Sequence, residues 1–94
     1  MLRKDLRREL ERIKVEEEVI LAGFEAYDYL SDPDRCSDGA ARGVVIADAT
    51  CGPPTMGWNP VRFNVMDALS ILEHHGVLGR RGADAKYEIR NVLE

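Results

Sequence analysis

The chain has 94 residues, a net charge of −4, 45% hydrophobic residues and two cysteines. That length suits one small domain with a single modest core, and the apolar fraction excludes a wholly disordered chain. No apolar run approaches the roughly 18 residues that span a bilayer. The charged start, Leu2 to Lys14, lacks the pattern of a secretory signal, so a cytoplasmic protein without membrane association is expected.

Charge is unevenly distributed along the chain. Residues 1–14 carry Arg3, Lys4, Arg7, Arg8, Arg12 and Lys14 against Asp5, Glu9 and Glu11. Residues 15–38 are strongly acidic, with Glu16, Glu17, Glu18, Glu25, Asp28, Asp32, Asp34 and Asp38 against Arg35. From residue 39 onward the two signs balance. A net acidic protein that binds nucleic acid has to gather its cations on one face and turn its acids away. If Asp67 and the acids of residues 25–38 share a face with the C-terminal basic segment, the nucleic-acid reading fails; if they lie on the opposite side, it survives.

Leu2, Leu6, Leu10 and Ile13 step by four, four and three through the N-terminal segment, a narrow apolar seam flanked by charges. Residues 1–18 are expected to form a charged helix whose seam mediates homodimerisation. Folding back onto the chain's own core, or a basic arm along phosphates, are the alternatives. Up to about Leu30 the pattern fits one long helix or two joined near Gly23. The wider apolar set Val19, Ile20, Ala22, Phe24, Ala26, Tyr27 and Leu30 suits a core helix.

The middle of the chain carries little chemistry. Asp32-Pro-Asp34-Arg-Cys-Ser-Asp38-Gly39 fails as a calcium loop, because its twelfth position falls on Val45 where a bidentate Glu is needed. It reads as a turn. Cys36 and Cys51 are isolated, and adjacent histidines such as His74 and His75 diverge by about 100° on a helix, so no zinc site and no cofactor is expected. Pro53-Pro54 should stiffen the loop before residue 59, with Trp58 as its packing anchor. No nucleophile motif, acid–base constellation or phosphate-binding loop is present, and catalysis is not expected.

The last third is the most informative. Asn59 can cap a helix that begins at Pro60, and Val61, Val65, Ala68, Leu69 and Leu72 form its apolar stripe. Gly76 can take the left-handed conformation that ends it. Val77 and Leu78 start an extended segment, Arg80 to Ala85 read as a hairpin loop, and Lys86-Tyr-Glu-Ile-Arg90 alternates as a half-buried strand. Tyr87 and Ile89 should face inward.

The run Ala68 to Leu93, ALSILEHHGVLGRRGADAKYEIRNVL, resembles the end of a winged helix-turn-helix DNA-binding domain. The resemblance covers residues 60–92 best. It implies an α+β, mainly helical fold over 19–94, with Ile20 to Asp32 and Gly39 to Thr50 as its first two helices, and an extra N-terminal helix. It also implies a sequence-specific regulator that binds double-stranded DNA with helix 60–75 and wing 79–90. Arg62, Asn64 and Ser70 would approach the bases, while Arg80, Arg81 and Lys86 would serve the wing. Phe63 would touch a thymine methyl or belong to the core. A protein-interaction module, an adaptor or inhibitor docking through acidic segment 16–38, is the alternative.

Overall fold

The computed structural model describes residues 1–52 and 59–94; the expectations for Pro53-Pro54 and Trp58 lie outside the described residues. The described residues form four helices, α1 (Arg3–Arg12), α2 (Glu17–Ser31), α3 (Gly43–Cys51) and α4 (Pro60–His74), and three short strands, β1 (Ala40–Ala41), β2 (Leu78–Arg81) and β3 (Lys86–Ile89). The strands form one antiparallel sheet in the order β1-β3-β2. From α2 onward the order is helix, strand, helix, helix, hairpin. This is an α+β fold with a winged-helix-like layout and an additional N-terminal helix.

The core forms where the apolar stripes of α2, α3 and α4 meet beneath the hairpin. Ile20 and Ala26 from α2, Ile46 and Ala47 from α3, and Val65, Leu69 and Leu72 from α4 are buried together with Val77, Leu78 and Tyr87. Gly23 is no helix boundary. It sits inside α2, where a Cβ would lie 3.4 Å from Leu72 Cδ1 and 3.6 Å from Ala68 Cβ, so its missing side chain lets α2 and α4 cross closely.

The break between the first two helices falls earlier, at Ile13 to Glu16. The Lys14 N–H bonds to the Glu11 carbonyl (3.0 Å) and the Val15 N–H to the Leu10 carbonyl (2.9 Å), while Lys14 takes a left-handed φ of 65°. This is the Schellman geometry usually built on glycine. Gly76 (φ 76°) ends α4 in the same way, through Gly76 N–H to Glu73 and Val77 N–H to Leu72.

The middle of the α1 seam packs on the chain's own core, as in the fold-back alternative. Leu6 and Leu10 are each 3% exposed within a single chain and belong to the same core as α2 and α4. Leu10 lies beside Val15, Val19, Ile71 and Leu72. Burying leucine in its own core removes it from water without a second chain. Leu2 and Ile13, at the two ends of the seam, stay exposed.

The basic arm also closes onto the chain. Arg3 pairs with Asp28 and sits over the rings of Phe24 and Tyr27; Arg7 pairs with Glu17. Part of the acidic charge of segment 16–38 is thereby neutralised internally. The chain ends meet as well, with Arg3 N–H bonding to the Glu94 carbonyl and Glu94 N–H to the Met1 carbonyl, both at 2.9 Å.

Candidate nucleic-acid interface

Asn59 caps α4 as its sequence suggests, its side-chain oxygen accepting from the Val61 N–H at 3.0 Å, with Pro60 at the first helical position. With Val65, Ala68, Leu69 and Leu72 turned into the core, the 100° step per residue places Phe63, Met66, Asp67, Ser70 and His74 on the opposite side. This outward strip opens with two large apolar side chains, Phe63 at 54% and Met66 at 42% exposure. Asp67 and Ser70 follow, both exposed, whereas Asn64 is half-buried beside the strip.

Arg62 occupies a different place from the one expected of a base reader. Its guanidinium reaches back to Asp48 Oδ1 at 2.6 Å and to the Gly52 carbonyl at 3.1 Å, and its side chain is 18% exposed. It ties the start of α4 to the end of α3.

The hairpin also rearranges the expected wing. Arg80 and Arg81 are strand residues, paired with Tyr87 and Lys86, and the loop is Gly82 to Ala85. Left-handed residues at Gly82 (φ 77°) and Ala85 (φ 52°) make that turn. The Arg80 guanidinium stacks on the Tyr87 ring, donates to the Tyr87 hydroxyl and the Ala85 carbonyl, and pairs with Glu73 of α4. Arg81 lies 3.5 Å and Arg90 2.9 Å from Glu88, while Lys86 lies 3.9 Å from Asp84. Arg80 is therefore a strut of the fold. Arg81 and Lys86 sit in loose, exposed pairs of the kind worth little in water.

Sequence reasoning missed the strand that organises the site. β1 pairs Ala41 with Tyr87 and delivers Arg42 to the start of α3, beside Lys86 of β3. Arg35, Arg42 and Lys86 line an open cleft of about 400 Å³ with Tyr29, Asp38 and Asp84. Arg42 makes no ion pair among the described residues, and Arg35 rests 5.2 Å from the Tyr29 ring centroid. Among the described residues no side chain caps α3, and the N–H groups of its first turn add positive potential at the same place. Arg42 is the sole basic residue between Cys36 and Val61, and a lone arginine carries no periodic signal.

The cleft and the α4 strip are neighbours. A Cβ on Gly43, the residue after Arg42, would lie 3.0 Å from Met66 Cε and 3.5 Å from the Tyr87 ring. The acids divide. Glu25 and Asp28 border a second hollow with Ala49 and Thr50 at the far end of α3, which shares Arg35 with the basic cleft, whereas Asp38 lies in that cleft and Asp67 on the strip. Among the described residues no group of three or more His, Cys, Asp or Glu is placed to hold a metal, and no helix is long and apolar enough to cross a membrane. No protein-family model, curated protein or solved structure matches this chain.

Proposed function

We propose that this chain is a non-catalytic winged-helix module that binds duplex DNA, acting as a sequence-specific regulator. The observation that carries the reading is the adjacency of the Arg35–Arg42–Lys86 cleft to the exposed strip of α4, joined through Met66, Gly43 and Tyr87. In this arrangement α4 enters the major groove, and the cleft and β2–β3 hairpin meet the flanking phosphates. Phosphate contact falls to Arg35, Arg42, Arg81 and Lys86, whereas Arg62 and Arg80 hold the scaffold.

Four phosphate contacts predict a log–log salt slope of about −3.6, roughly a hundredfold loss of affinity between about 50 and about 200 mM salt. The test is fluorescence anisotropy with a mixed-sequence duplex. Replacing Arg42 and Lys86 together by alanine should lower the slope by about 1.8 and weaken binding to all sequences alike. Absence of duplex binding at about 50 mM salt overturns the reading.

A specific observation favours a second reading. Val44, Val61, Phe63 and Met66 are exposed on α3 and α4, with Asp67 beside them and Asp38 in the cleft. Apolar exposure with carboxylates nearby suits an adaptor or inhibitor that binds a basic protein, helped by the acidic segment 16–38. A chain that ignores duplex DNA yet binds a basic partner, and loses it on Phe63→Asp, belongs to this class.

A further inference from the structure

We propose that the outward strip of α4 reads the C5-methyl groups of pyrimidines in the major groove, on thymine or on 5-methylcytosine. The inference rests on the DNA-binding reading and names what the same surface recognises.

The strip lacks the usual bidentate donors. Phe63, Met66, Asp67, Ser70 and His74 include no arginine or lysine for guanine and no asparagine or glutamine for adenine, and Asn64 beside them is half-buried. Arg62, which could have served guanine, is held by Asp48 and Gly52. What the strip does offer is two apolar side chains, Phe63 and Met66, more than 40% exposed, and a carboxylate one position on. An apolar side chain has one good partner on a major-groove base edge, the pyrimidine C5-methyl. A carboxylate, which accepts hydrogen bonds and donates none, also has one, the exocyclic amino group of cytosine.

In 5-methylcytosine both partners belong to a single base. The N4 amino and the C5 substituent occupy neighbouring ring positions of cytosine. Phe63 and Asp67 are i,i+4 neighbours, with Cβ atoms about 5–6 Å apart on one helix face. A 5-methylcytosine can therefore meet both side chains at once, and a thymine beside a cytosine meets them with two bases. Met66 borders the same face, with the end of its side chain packed against Gly43. Asp67 also discourages alternatives, because a carboxylate near the backbone without a cytosine amino group faces phosphate repulsion.

The experiment begins with selection of binders from a random duplex library at about 50 mM salt. The winning duplex is then prepared in three forms: with thymine, with deoxyuridine in place of every thymine, and with 5-methylcytosine in place of every cytosine. Each methyl that contacts the strip changes affinity by about fourfold. A loss with deoxyuridine and no gain with 5-methylcytosine assigns the methyl to thymine. A gain with 5-methylcytosine assigns it to cytosine, and Asp67→Asn should then weaken the methylated and unmethylated forms alike. Phe63→Ala, an exposed position whose variant fold is checked by circular dichroism, should bring the affected ratio toward one. Equal binding to the three forms, or selection that enriches no sequence while salt-dependent binding persists, overturns the inference and leaves the DNA reading standing. No duplex binding at all removes both.

Discussion

The guanidinium of Arg80 lies 3.7 Å from the centroid of the Tyr87 ring, its direct partner across the β2–β3 ladder. Tyr87 is buried and pairs with Ala41 on its other side, so one residue of the central strand has backbone partners on both neighbours. Arg80 covers that ring and reaches Glu73 on α4, which fixes the hairpin against the helix. An arginine that resembles a phosphate contact in the sequence is a structural strut in the fold.

Replacing Arg80 by alanine should cost about 1–3 kcal/mol, combining a cation–π contact with the hydrogen bonds to Ala85 and Tyr87. Lysine keeps the charge without the planar fork, so Arg80→Lys should restore less than half of the loss. Urea unfolding measures both. An unchanged midpoint in Arg80→Ala, together with a flatter salt slope in DNA binding, would return Arg80 to the phosphates.

Arg62→Ala should destabilise the chain by about 1–2 kcal/mol, because the Gly52 carbonyl and Asp48 lose a charged donor. The effect should be local. Amide hydrogen exchange should speed up at the end of α3, around Thr50 and Cys51, before it does in α2.

Leu10→Ala should cost about 2–5 kcal/mol, the range for a large side chain removed from a packed core. Since Leu10 is buried within its own chain, the loss should be the same at low and high protein concentration. A wild-type unfolding midpoint that climbs with concentration would reveal a linked dimer instead.

The carboxyl of Glu9 titrates below its ordinary value, first because Arg12 donates to it and further through the charges of Arg12 and His75. A carboxylate whose folded pKa is lowered adds stability above its unfolded pKa, and that stability fades as pH falls through the folded value. Both groups are solvent-exposed, so the contribution to stability is small. A carbon-detected NMR titration should find the Glu9 midpoint low in the wild type and raised in Arg12→Ala.

Local signals in the sequence were sufficient for α4. Asn59, Pro60 and Gly76 each act within one turn of their own position, and the stripe Val65, Ala68, Leu69 and Leu72 is periodic. The end of α1 was not legible, because Lys14 takes the left-handed turn that glycine usually signals. Gly23 misled for the complementary reason. Its missing side chain serves the approach of α4, a partner 45 residues downstream at Ala68, and not a local turn.

The functional side chains divide in the same way. Phe63, Asp67 and Ser70 could be placed on an outward face by counting along α4, since helical geometry fixes direction residue by residue. Which arginines remain available was decided between elements. Asp48 captured Arg62, Tyr87 and Glu73 captured Arg80, and Asp28 and Glu17 captured the N-terminal arm. A two-residue strand then set Arg42 beside Lys86. The sequence by itself determined α4, its two ends and the presence of a hairpin after it, because those depend on residues within a few positions of one another. The tertiary structure alone decided the fate of Leu6 and Leu10 and the membership of the basic cleft, because burial and ion pairing depend on neighbours that the chain brings together only on folding.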